Sequence, residues 1–176
     1  ITAYIPNPSL SGPGLYKALA QELDIELPNR ITQYDLLKLL NEKLIELRRE
    51  NKHVIIIIDE AQVLPDESLE SLRLLSNLET KSSKLLQIVL FGQPELDVRL
   101  SQQNLRQLKQ RIAFSYYLKP LKKSELVPYL LHHLSIAGYS QGALFSKKAC
   151  KLVYQASKGI PRLINILSHK ALMIAY

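Results

Sequence analysis

At 176 residues, 47% hydrophobic and 22% charged, the chain has material for one sizeable core and a small appended unit. Its longest apolar stretch falls far short of the roughly twenty residues a membrane span requires, no basic and apolar leader opens it, and the single Cys150 excludes an internal disulfide or a cysteine-based metal site. The net charge of +7 is unevenly spread: residues 1–98 hold 10 Lys/Arg against 15 Asp/Glu, whereas residues 99–176 hold 13 against 1, so the second half can attract nucleic acid, acidic lipid, nucleotide phosphates or the acidic face of a neighbouring subunit.

In chain order, residues 1–5 alternate weakly and run into Pro6-Asn7-Pro8, a strand followed by a loop, so the chain opens inside a fold. Apolar residues recur at helical spacing over residues 15–23 and 36–47, the second run with Asp35 as its N-terminal cap, and Pro28-Asn29-Arg30 breaks the pattern between them. After the apolar run Val54-Ile55-Ile56-Ile57-Ile58, Pro65-Asp66-Glu67 opens a helix carrying Leu69, Leu72, Leu75 and Leu78, and Lys81-Ser82-Ser83-Lys84 makes a polar turn. Residues 85–91 read as a second buried strand closed by Gly92-Gln93-Pro94. Residues 99–111 read as polar and helical in pieces, and residues 113–118 as a third interior strand ended by Lys119-Pro120. From Ser124 the period becomes helical, with Leu126, Tyr129, Leu130 and Leu134, then Cys150, Val153 and Tyr154, then Leu163, Ile164, Leu167 and Leu172. Ser157-Lys158-Gly159 separates the last two helices, and Pro161 suits a first helical turn. The organisation is a parallel α/β body over residues 1–121 and a basic helical lid over 122–176.

The run from Val54 to Ile58 ends abruptly in Asp59 and Glu60. β-Branched residues suit a pleated strand, and a continuous apolar run suits one covered on both faces of a parallel sheet. Ligands of such sheets bind outside the carboxyl ends of the strands, where these two acids stand. In phosphate-hydrolysing sites such a pair divides two tasks, the first carboxylate holding hydrated Mg²⁺ and the second polarising the attacking water. The competing interpretation is a core strand with two solvated acids beyond it.

Five segments together resemble the AAA+ ATPases. They are Asp59-Glu60-Ala61-Gln62, residues 72–80 (LRLLSNLET), Gly92-Gln93-Pro94-Glu95-Leu96, residues 105–112 (LRQLKQRI) and Gly159-Ile160-Pro161-Arg162-Leu163-Ile164-Asn165. The resemblance covers essentially the whole chain, and it is nearest to the ExeA/GspA and MshM branch that serves type II secretion and mannose-sensitive haemagglutinin (MSHA) pilus biogenesis. It implies an α/β fold with helices on both faces of a parallel sheet and a C-terminal helical lid. It further implies ATP and Mg²⁺ as ligands, with Asp59 ordering the Mg²⁺ shell and Glu60 as catalytic base. Gln93 would stand where the family senses the γ-phosphate, although Asn, Ser or Thr is more usual there and a turn residue before Pro94 is the alternative. Arg111 would be the arginine finger reaching a neighbouring subunit, with Arg106 as fallback and a surface arginine as the alternative for either. Arg162 would contact nucleotide from the lid.

By the same resemblance the partners are neighbouring copies in a homo-oligomer and the secretion or pilus-assembly proteins, at the cytoplasmic face of the bacterial inner membrane. Three rivals stand beside it: a DNA-binding module similar to the AAA+ helpers of transposition, a nucleotide-independent interaction module, and a helicase of the Asp-Glu-x-x type. One departure from the family is large. No Gly-x-x-x-x-Gly-Lys-Ser/Thr segment occurs, and Ser11-Gly12-Pro13-Gly14 reads instead as a loop entering a helix, because Pro13 has no amide hydrogen and Leu15 stands where Lys is needed. The expectation is a piece whose phosphate loop and first, central strand precede Ile1, and which alone hydrolyses little ATP.

Overall fold

The computed structural model describes residues 1–6, 10–79 and 84–175, so all but Lys84 of the polar turn expected at Lys81-Ser82-Ser83-Lys84 and part of the Pro6-Asn7-Pro8 loop lie outside the described residues. Two compact units form, Ile1–Ser115 and Tyr116–Tyr176.

In the first unit three parallel strands, β1 (Thr2–Ile5), β2 (Val54–Ile58) and β3 (Leu86–Leu90), lie in the order β1-β2-β3. The connection from β1 to β2 carries α1 (Gly12–Glu22) and α2 (Gln33–Arg49), and that from β2 to β3 carries α3 (Asp66–Leu75). Each connection is a βαβ crossover, which is right-handed in nearly all proteins. Strands added one after another in the same direction therefore bring every crossover helix to the same face of the sheet. Burial follows this geometry: Ala3, Ile5, Val54, Ile56, Ile58 and Leu86 point into a core shared with Leu15, Leu19, Leu36, Leu40, Leu69 and Leu72. On the opposite face Thr2, Tyr4, Gln87 and Val89 are exposed, and Ile55 and Ile57 are only half-buried. The covering of both faces suggested by the apolar run is thus present on one face among the described residues.

The register Ile5↔Ile58↔Leu90 aligns the carboxyl ends of all three strands at one rim. Ser11 caps α1 by accepting a hydrogen bond from the Gly14 amide at 3.3 Å, so the Ser11-Gly12-Pro13-Gly14 segment enters a helix. The cap of α2 is Thr32, not Asp35: Thr32 Oγ1 accepts from the Asp35 amide at 3.1 Å and donates to the Asp35 carboxylate at 2.6 Å. A hydroxyl at that position satisfies an orphan amide three residues on, which begins the helix one turn earlier than Asp35 would. Past β3 come α4 (Pro94–Leu100) and the short α5 (Arg106–Lys109), whose Leu96, Leu100 and Leu108, with Leu105 just before α5, join the same core.

Two expectations about strands are corrected. Residues 113–118 form no strand, and Phe114, Tyr116 and Leu118 are exposed. An interior parallel strand needs hydrogen-bonded neighbours, and the sheet among the described residues consists of three strands ending at β3. By the same ordering β3 is an edge strand rather than a fully buried one.

The second unit contains α6 (Leu126–Ile136), α7 (Lys147–Ser157) and α8 (Pro161–Ala175). Its small core is Leu126, Leu130, Val153 and Ile164, with Leu121, Tyr129, Phe145, Cys150 and Tyr154 packed around it. Ser146 caps α7 through the Ala149 amide, and the Tyr129 hydroxyl donates to Asn165 at 3.0 Å, joining α6 to α8. Among the described residues no helix is long and apolar enough to cross a membrane.

Candidate functional site

The pleat that buries Ile58 ends β2 at Asp59, which is half-buried, while Glu60 beyond it is exposed. Glu60 takes a left-handed backbone conformation (φ 51°, ψ 36°), uncommon for a residue with a side chain, and its amide donates to Asp59 Oδ1 at 2.9 Å. Two backbone bonds weld this turn to the neighbouring strand: Phe91 N–H donates to the Ile58 carbonyl and Ala61 N–H to the Phe91 carbonyl, each at 2.8 Å. The Tyr4 hydroxyl, from the opposite neighbour, reaches Asp59 Oδ2 at 3.4 Å.

The sheet register brings Gln93 to Glu60. Gln93 Nε2 donates to Glu60 Oε2 at 3.4 Å, a long bond across 33 residues of sequence. A shorter route runs through Gln62, whose Nε2 donates to the same oxygen of Glu60 at 2.5 Å and whose Oε1 accepts the Gln93 amide hydrogen at 3.0 Å. Asp59, Glu60 and Gln93 are therefore gathered at one rim, and Gln62 joins them. Arg106 and Arg111 lie in the same unit and both are exposed. Arg162 belongs to the second unit, exposed on the first turn of α8 just after Pro161.

Sequence reasoning assigned no role to Gln62, Tyr4 or Arg99. Gln62 was visible within Asp59-Glu60-Ala61-Gln62 as a motif letter, but the side chains it links come together only through strand pairing. Arg99, on α4, braces the loop after Glu60. Its Nη1 donates to the Gln62 and Leu64 carbonyls, each at 2.7 Å, and its Nη2 to Asp66 Oδ1, while Asn104 donates to Asp66 Oδ2 at 2.9 Å. The hydrogen bond from Arg99 holds the Asp66 carboxyl below its ordinary value of 3.8, aided by the Asn104 bond and opposed by partial desolvation.

A carboxyl whose folded pKa is depressed stabilises the fold fully above the unfolded value and loses that contribution as the pH falls through the folded one. Asp66→Asn should therefore lower the melting temperature at neutral pH, and the gap to the parent should close as the pH falls from neutral through and below the ordinary carboxylate range. Thermal unfolding of both chains across that range measures it.

Residues 1–100 match the AAA domain family. The chain is 41% identical over 99% of its length to General secretion pathway protein A of Aeromonas hydrophila, and it spans 32% of that relative's length. Among solved structures it resembles Cdc6p of Pyrobaculum aerophilum, with 21% identity and a TM-score of 0.63 over 86% of this chain and 39% of that one. It also resembles the ADP form of the ORC2 protein of Aeropyrum pernix, with 17% identity and a TM-score of 0.68 over 98% of this chain and 47% of that one. These likenesses speak for a shared fold, and the sequence match carries the kinship. With more than half of its residues matched by the family and its parallel sheet carrying an Asp-Glu pair at the carboxyl rim, the chain belongs to the AAA domain family.

Proposed function

We propose that this chain is part of an ATPase that converts nucleotide hydrolysis into conformational work for protein secretion or for assembly of an MSHA-type pilus, at the cytoplasmic face of the inner membrane. The observation that carries the reading is the meeting of Glu60 and Gln93 at the ends of adjacent parallel strands, a hydrogen-bonded base and amide where an α/β sheet receives ligand. The identity with General secretion pathway protein A supports the secretion role. Glu60 polarises the attacking water. Gln93, able to donate to phosphate oxygen and accept from water, senses the terminal phosphate.

Among the described residues no three or more His, Cys, Asp or Glu side chains gather as a metal cage. Mg²⁺ at such sites keeps most of its waters and takes one or two carboxylates together with substrate phosphates. Asp59, half-buried at the strand end and oriented by the Glu60 amide, suits that demand. The cation would neutralise phosphate charge there. Arg111, with Arg106 as the alternative, is exposed as a finger toward a neighbouring subunit's nucleotide must be, since a permanently charged planar fork stabilises charge on a transferring phosphoryl group. Arg162 contacts nucleotide from the helical unit and couples its state to movement of that unit.

The chain's own residues include no phosphate-cradling Gly-Lys-Ser/Thr loop, and two adjacent carboxylates repel a triphosphate. We expect little ATP turnover from residues 1–176 alone, and turnover on the order of 1–100 per second at most from a longer form that includes a phosphate loop. A phosphate-release assay on both forms tests this. Equal activity in the two, or none in the longer, removes the reading.

A further inference from the structure

We propose that Gln62 is the positioning residue of this site, tying the water-activating Glu60 to the phosphate-sensing Gln93 so that the two move as one. The inference deepens the ATPase reading above and rests on it.

Glu60 is an exposed side chain on a left-handed backbone, and by itself it would sample several rotamers. A general base must instead be held within about half an ångström of its working position. Gln62 supplies that restraint through the Nε2 donor on Glu60 Oε2. The opposite end of the same amide is fixed, because Oε1 accepts the Gln93 N–H. This amide orientation is the only one that satisfies both neighbours: turned over, it would face oxygen against carboxylate and nitrogen against N–H.

The brace is itself built in. Gln62 lies in the short 3₁₀ turn Ala61–Val63, whose first amide bonds the Phe91 carbonyl and whose Gln62 carbonyl is clamped by Arg99. Gly92 leaves the room it occupies. A Cβ there would fall 3.2 Å from Gln62 Oε1 and 2.8 Å from Leu96 Cδ2. Phosphate drawing on Gln93 therefore pulls, through its backbone amide, on the side chain that aims Glu60.

The test uses a longer form of the chain that includes a phosphate loop, measuring ATP turnover and ATP affinity for Gln62→Met, Gln62→Glu, Gln93→Ala, the Gln62→Met/Gln93→Ala pair and Glu60→Gln. A misaimed base costs rate, so both Gln62 variants should lose about tenfold or more in kcat, with ATP affinity within about threefold of the parent in Gln62→Met and lowered in Gln62→Glu, whose added carboxylate repels the triphosphate. In the double variant the two losses should fall short of adding, which a merely structural role for Gln62 would not produce. Gln62→Glu keeps the size and the acceptor for Gln93 and decides the matter if Gln62→Met fails to fold. A change in kcat of about twofold or less in Gln62→Glu while Glu60→Gln is inactive, or a loss confined to affinity, overturns the proposal alone. Unimpaired turnover in Glu60→Gln overturns it together with the reading beneath it.

Discussion

If Glu60 is the catalytic base proposed above, replacing it with Gln in a longer form that includes a phosphate loop should lower ATP turnover by about 10²- to 10⁴-fold, the range that general-base removal commands, which corresponds to about 3 to 5.5 kcal/mol of transition-state stabilisation. The substitution keeps the volume of the side chain and an oxygen able to accept from Gln62 and Gln93, so the rim is undisturbed. What it removes is the negative charge and the capacity to take a proton from water. ATP affinity should hold or rise slightly, since one of two carboxylates that repel a triphosphate is gone. Steady-state phosphate release combined with a fluorescent-nucleotide titration separates the two effects. Unchanged turnover would mean that the acids are relics on an interaction module.

The largest expected stability effect lies in the second unit. Gly159→Ala should destabilise it by about 2 to 5 kcal/mol, the sum of a left-handed backbone cost and an overpacking cost. Gly159 has φ +79°, and an added Cβ would stand 2.1 Å from the Leu121 carbonyl oxygen and 3.1 Å from the carbon that bears it. Both are backbone atoms, so no flexible side chain can yield. The close approach has a cause: Leu121 N–H donates to the Gly159 carbonyl at 2.9 Å, lashing the entry of this unit to the turn before α8. Relieving the clash breaks that bond and loosens the turn that sets Pro161 and Arg162 at the helix start. Lys158→Ala is the control. Lys158 is also left-handed, at φ 51°, so Ala there adds no strain that Lys does not already bear. Hydrogen exchange along α7 and α8, together with urea unfolding, distinguishes loss of this unit from loss of the whole chain.

Gly159 shows what could be seen in one dimension and what could not. Its place in Gly159-Ile160-Pro161-Arg162 was plain as a motif, yet the reason only glycine serves is the Leu121 backbone, 38 residues earlier in sequence. The β-branched run before Asp59 likewise announced a strand and an acidic rim without help, because strand preference and abrupt polarity are properties of consecutive residues. The helices of the second unit were legible for the same reason, each carrying its own apolar period and its own cap or breaker.

Local patterns of that kind determined the secondary structure around the site and the identity of its two carboxylates. The number of covered sheet faces, the edge position of β3, the absence of a strand at residues 113–118 and the Glu60–Gln62–Gln93 chain of hydrogen bonds were decided by tertiary structure. Each depends on which strand pairs with which and in what register, and the free energy that selects a register comes from burying side chains distant in sequence. No window of neighbouring residues contains that information.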